Sequence, residues 1–222
     1  MAPPKNQYRK AIFIRDIRKT WYIDGINSNI NTIEKIYEML KVEVKGASEV
    51  ICIGNSSGGY AATLFGILLG AHRIFSISGF FEIESESNYP ENIALREANN
   101  NIEKSKWFHL RPLLMNSKIP LYFLYPKNCP LDRGQAKIAE QFHSVRSIAF
   151  GGKTHGLCAF PFNYPWLFIS NQIDLDKLIK LNKNKLWTKL EFSIRLIGFY
   201  KTFIYLFNLN RKKIIKFFHA LM

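Results

Sequence analysis

Cysteine is scarce in this chain: Cys52, Cys129 and Cys158 are three in 222 residues, an odd number at wide spacings with no CxxC pair. That excludes a disulfide framework and a cysteine-built zinc site, and it points to a reducing compartment. The first ten residues, Met1 to Lys10, lack the apolar run and small-residue cleavage site of a secretory signal, so a cytoplasmic location is expected. The stretch Phe192 to Phe207 is apolar nearly all round but is interrupted by Arg195 and Lys201 and falls short of the roughly 20 apolar residues of a spanning helix. There is no GxGxxG and no lysine behind a glycine-rich loop, so nucleotide-phosphate cradles lack their motif. Acid is nearly missing from one region. Residues 177–222 hold eleven Lys or Arg against the single Glu191, whereas residues 1–176 hold 20 basic and 16 acidic side chains. The formal charge of +14 is thus mainly a property of the tail.

What is present is a core. With 47% hydrophobic and 22% charged residues, the chain has the mix of one compact domain, 1–176, carrying an appendage, 177–222. Ala11-Ile12-Phe13-Ile14 and Trp21-Tyr22-Ile23 read as short strands, the second closed by the turn pair Asp24-Gly25. Ile30, Ile33, Ile36, Tyr37 and Leu40 recur at helical spacing. Strands follow at Val50–Ile53, Arg73–Ile77, Ile119–Tyr125 and Val145–Phe150, with helices over Ser57 to about Leu69 and around Gly134 to His143. Residues 80–118 are polar and weakly periodic, an insertion or lid. Alternating strands and helices imply an α/β three-layer sandwich on a mainly parallel sheet, followed by a helical basic tail.

The chemistry concentrates where Val50–Ile53 runs into Gly54-Asn55-Ser56-Ser57-Gly58-Gly59. Glycines two residues before and two after Ser56 allow a sharp turn that lifts the hydroxyl above the strand end. Ser57 is the near rival but breaks that spacing. A serine needs an imidazole to take its proton and a carboxylate to orient the imidazole. Asp132 lies beyond the third of the four later strands, and His155 lies beyond the last in Gly151-Gly152-Lys153-Thr154-His155-Gly156. In a parallel sheet those loops emerge at the same carboxyl edge as Ser56. His72, His109, His143 and His219 lack that position, and Asp174 and Asp176 follow His155 in the wrong order. Glu140 is a further acid, and Cys158 reads as a small core residue.

The elbow, the acid after a late strand and the histidine after the last one resemble the α/β-hydrolase superfamily over roughly Ala11 to Asp176. The resemblance implies a minimal hydrolase fold that lacks one or two leading strands. It also implies an oxyanion hole formed by the Ser57 amide and by that of Gly25 or Ile26, although Asp24-Gly25 stands where many hydrolases carry His-Gly. More narrowly, Trp21-Tyr22-Ile23-Asp24-Gly25, Gly58-Gly59-Tyr60-Ala61-Ala62 and the basic tail resemble small proteins of bacterial surface-polysaccharide loci, some of them capsule O-acetyltransferases.

The expected function is therefore serine-dependent acyl transfer to a surface glycan, with acetyl-CoA as a donor and no permanently bound cofactor or metal. A carboxylesterase or deacetylase of the same fold is the alternative. A non-catalytic protein of polysaccharide assembly or export is a third reading, since fold alone does not fix chemistry. Interleaved aromatics and basic residues in 177–222 suit an anionic membrane surface, here the inner face of the cytoplasmic membrane, or docking on the chain's own core or a partner subunit. With no recognition motif, nucleic acid is not an expected partner.

Overall fold

The computed structural model describes residues 10–170, 172–181 and 185–208. They fall into two compact units, one over Lys10–Cys158 and one from Ala159 onward. In the first unit, α1 (Ile33–Glu43) is opened by Thr32, whose hydroxyl accepts from the Lys35 amide, and it buries Ile33, Ile36 and Leu40 on one side. Next come β1 (Ile51–Asn55), α2 (Ser57–Leu68) and β2 (Arg73–Ile77). Three short helices follow: α3 (Ile93–Asn99), α4 (Ile102–Ser105) and α5 (Arg111–Asn116). The unit then runs through β3 (Leu121–Pro126), α6 (Pro130–Ala139) and β4 (Val145–Phe150).

The four strands pair in parallel in the order β1-β2-β3-β4, with Asn55 level with Ile77, Ile77 with Leu124, and Leu124 with Ile148. All four carboxyl ends therefore lie along one edge. Alternation along the strands sends Ile74, Leu121, Phe123 and Tyr125 into the cluster that also holds Ile36, Tyr60, Leu64, Phe65 and Ala136. Each connection advances one strand in the same direction, so right-handed crossovers share that face. Phe75, Tyr122, Leu124 and Ile148, on the other face, are buried as well, with Phe75 stacked on Tyr122. This is the expected α/β fold on a parallel sheet.

Two expected strands are absent. Residues 11–14 form no strand, and Phe13 is 93% exposed. Trp21 and Tyr22 adopt φ of 56° and 65°, left-handed values that no strand tolerates. Side chains hold this turn: Asp16 accepts from the Tyr22 amide and Thr20 from the Asp24 amide. The helix expected around Gly134 starts earlier, at Pro130, because proline at the first helical position is preorganised and lacks only an amide that the helix does not use.

Residues 80–118 do not stand apart from the domain. Leu95, Ala98, Phe108, Leu110 and Leu114 belong to the main apolar cluster, so the segment Trp107 to Pro112 is partly core. Gln135 of α6 anchors the start of this region, accepting from the Phe81 and Glu82 amides and donating to the Glu82 carbonyl. The Tyr60 hydroxyl donates to the Trp107 carbonyl at 2.8 Å, and Lys104 pairs with Asp24.

In the second unit, α7 (Tyr164–Ile169), α8 (Gln172–Leu181) and α9 (Lys189–Ile197) precede a further helix over residues 199–208. Residue 176, the expected end of the main domain, lies within α8. Gly198, at φ +87°, separates α9 from the last helix, so Phe192 to Phe207 is two helices rather than one. The remainder of the expected tail, including Arg211, Lys212, Lys213, Lys216 and His219, lies outside the described residues.

Candidate active site

Ser56 sits between β1 and α2 with φ 54° and ψ −120°, a conformation rarely populated by a residue with a side chain. Its amide donates to the Ile77 carbonyl at 2.9 Å, and its carbonyl accepts from the Gly59 and Tyr60 amides. The turn is tight because the strand end lies against the first helical turn. A Cβ on Gly54 would stand 1.8 Å from the Gly58 carbonyl oxygen. A Cβ on Gly58 itself would meet nothing within 4 Å, so the spatial demand falls on Gly54 alone of the pair. Gly59 has a separate reason to be small, since its Cβ would stand 2.7 Å from the Gly79 Cα.

The Ser56 hydroxyl lies 2.9 Å from His155 Nε2, and His155 Nδ1 lies 3.0 Å from Asp132 Oδ2. With Nδ1 protonated, the imidazole donates to the carboxylate and accepts from the hydroxyl. The sequence-derived Ser56, Asp132 and His155 thus meet in one hydrogen-bonded chain. Asp132 is 1% exposed and occupies the first turn of α6, where the helix N-terminus favours a carboxylate. Among the described residues its buried Oδ1 has no hydrogen-bond partner. Burial, reinforced by the neighbouring Asp132 carboxylate, raises the Cys129 thiol above its ordinary pKa, which disfavours the thiolate.

Sequence reasoning missed the groups that hold His155. Ser78, at φ 45° just past β2, donates its hydroxyl to the Gly156 carbonyl at 2.7 Å and so ties the His155 loop to the next strand end but one. The Phe80 ring meets the imidazole edge-on at 5.5 Å, and Trp21 meets Phe80 in the same manner at 4.6 Å. The signal available was Ser78-Gly79 directly after a strand, a small-residue turn like that at Ser56. Glu86, in the short turn Glu84–Asn88, adds a half-buried carboxyl within electrostatic range of His155. Burial raises its pKa, the His155 charge lowers it, and Glu91 raises it.

The Ser57 amide heads α2, where the first amides of a helix have no intrahelical acceptor. The Gly25 and Ile26 amides, expected as second donors, are otherwise engaged. Gly25 donates to the Tyr22 carbonyl at 2.9 Å and Ile26 to the Ile30 carbonyl at 2.8 Å. A Cβ on Gly25 would stand 2.0 Å from the Ile30 oxygen, which shows how tightly that turn is closed. Neither amide is free to meet an oxyanion. Among the described residues, no three His, Cys, Asp or Glu side chains gather as a metal site.

No protein-family model matches the sequence, and the comparison with curated proteins found no match. A solved structure resembles the fold. It is MGS-MChE2, an α/β hydrolase enzyme from the metagenome of sediments from the lagoon of Mar Chica, Morocco, at 18% identity and a TM-score of 0.44. The match covers 70% of this chain and 73% of that one. A likeness of that degree decides nothing about activity, and the reading of the site rests on its own geometry.

Proposed function

We propose that this chain is a serine-dependent acyl-transfer enzyme with Ser56 as nucleophile, His155 as general base and acid, and Asp132 as the group that orients His155. The observation that supports it is the chain of contacts at 2.9 and 3.0 Å ending on a serine held at φ 54°. As Ser56 Oγ bonds to an ester or thioester carbonyl carbon, His155 Nε2 takes its proton. The resulting oxyanion is stabilised by the Ser57 amide at the positive end of α2, a donor of the kind that contributes about 2.7–4 kcal/mol. When the carbon–oxygen or carbon–sulfur bond to the leaving group breaks, His155 returns the proton to the departing alcohol or thiol. An acceptor hydroxyl then gives its proton to His155 and attacks the acyl-serine, and as the acyl bond to Ser56 Oγ breaks His155 returns that proton to Ser56.

The acceptor in this proposal is a sugar hydroxyl of a bacterial surface polysaccharide, with acetyl-CoA as donor. That finer reading rests on the resemblance carried by Trp21 to Gly25, by Gly58 to Ala62 and by the basic tail. Ester hydrolysis is favoured by a different observation: the His155 side chain is 28% exposed, so water reaches it. A fluorophosphonate probe tests the common step. Labelling of the wild-type protein that Ser56→Ala abolishes is the expected result; a folded wild-type protein that takes no label overturns the enzyme reading and favours the non-catalytic one. Acetylation of glycan in the presence of acetyl-CoA, measured against release of free acetate, then separates transferase from esterase.

A further inference from the structure

The last described helix is docked by an unusual face. At 100° per residue, Phe199, Phe203, Phe207, Tyr200 and Ile204 fall in one arc of about 140°. All five are exposed, Phe199 at 70%, Tyr200 at 76% and Phe207 at 62%. The opposite side holds the helix to its own unit. The Thr202 hydroxyl donates to the Gly198 carbonyl and shares a buried hydrogen bond with Ser193, which in turn reaches Asn163. Tyr205 stacks on Phe162 at 4.9 Å. The polar and stacked groups thus face inward, and the apolar arc faces out. Four contiguous aromatic side chains and an isoleucine exposed on one helix make a patch that marks an interaction site rather than scattered surface apolarity.

The charge around this patch narrows what covers it. Lys177, Lys180, Lys185, Lys189, Arg195 and Lys201, the basic residues described in this region, are all exposed. Lys201 borders the arc, with its ammonium 4.4 Å from the Trp166 ring centroid. The sequence adds Arg211, Lys212, Lys213 and Lys216 shortly after the helix, and Glu191 is the only acid from 177 onward. An apolar aromatic strip on a segment with eleven basic residues and one acid from 177 onward is complementary to a surface that is negative at the headgroups and apolar just beneath them. A second copy of the same face would bring like charges together. No helix among the described residues is long and apolar enough to cross a membrane, so the complementarity is to a bilayer surface.

We propose that the 199–208 helix is a membrane-surface anchor that inserts Phe199, Tyr200, Phe203, Ile204 and Phe207 into an anionic phospholipid leaflet, with Lys201 at the headgroups. This docking is independent of Ser56 chemistry. It is tested by sedimenting the full-length chain with phosphatidylcholine vesicles with and without 30% phosphatidylglycerol. The expected result is binding to the anionic vesicles at least about tenfold stronger than to neutral ones, with a loss of about tenfold or more in the Phe199→Ser/Phe203→Ser/Phe207→Ser variant. That variant should keep the wild-type melting temperature, since the three rings are exposed, and Ser56→Ala should bind vesicles as wild type does. Absence of wild-type binding to anionic vesicles overturns the proposal, as does equal binding by the triple variant. A wild-type dimer that the triple variant splits, without vesicle binding, also overturns it and assigns the face to a second copy.

Discussion

Replacing Gly54 by alanine puts a methyl group 1.8 Å from the Gly58 carbonyl oxygen and 2.1 Å from its carbonyl carbon. A carbon–oxygen contact settles at about 3.3 Å, so the strand end and the first turn of α2 must part by about 1.5 Å. Both neighbours are backbone, and no side-chain rotation can absorb the displacement. Between them lies Ser56, held by the Ile77 carbonyl at 2.9 Å and by the Gly59 and Tyr60 amides at 2.8 and 3.1 Å. Overpacking costs about 1–3 kcal/mol where side chains can yield. Adding one or two strained hydrogen bonds at about 1 kcal/mol each gives an expected loss of about 2–5 kcal/mol. For a chain of this size that is a fall of about 10 °C in melting temperature. The same shift moves the Ser56 hydroxyl relative to His155, and a displacement of about 1 Å in a reacting group costs about 10²-fold. Thermal melting and the rate of fluorophosphonate labelling measure the two effects. Gly58→Ala is the comparison, because its Cβ meets nothing and its stability should stay within about 1 kcal/mol of wild type. A Gly54→Ala protein that melts within a few degrees of Gly58→Ala refutes the reasoning.

Asp132→Asn keeps the shape of the buried side chain but removes the charge that fixes the His155 tautomer; labelling should slow by about 10³–10⁴-fold while circular dichroism is unchanged, and a wild-type rate would remove Asp132 from the mechanism. Ser78→Ala deletes the hydroxyl donated to Gly156 at 2.7 Å, so stability should drop by about 1 kcal/mol. Labelling by Ser78→Ala should slow through a looser His155 loop, and an unchanged rate would show that the loop needs no such tie. Glu86 carries a carboxyl raised above its ordinary value of 4.5, by burial first. The folded state therefore holds this proton more tightly than the unfolded one, so its contribution is complete below about pH 4.5 and is lost as pH rises through the raised folded value. Glu86→Gln should gain melting temperature over wild type at about pH 7 but not at about pH 4, and an equal difference at both would sink the argument.

The four strands that form were legible because each is a short apolar run, and burial of both faces of a parallel sheet demands that pattern. The same signal misled at Trp21-Tyr22-Ile23. Apolarity reports that these residues are buried, which they are at 8%, 5% and 2%. It does not report φ, and here Asp16 and Thr20 side chains stabilise a turn. Residues 80–118 read as a weakly periodic insertion or lid for a related reason. Helices of four to seven residues, α3 to α5, bury two positions, none and one respectively, and periodicity needs more turns than that to show.

Within the site, legibility followed how local the constraint is. Ser56 could be found because a strand, a helix and the clash at Gly54 lie within five residues of one another. Asp132 and His155 followed from topology, since any loop after β3 or β4 opens on the same edge as Ser56. The second oxyanion donor could not be found in that way. It depends on which amides the loop leaves unengaged, and Gly25 and Ile26 are engaged by carbonyls three and four residues away in sequence. Left-handed backbone at Lys19, Trp21 and Tyr22, all residues with side chains, sets the course of that loop. Glycine advertises a left-handed turn in a sequence, whereas a lysine, a tryptophan and a tyrosine do not, so the loop beside the nucleophile becomes readable only in three dimensions.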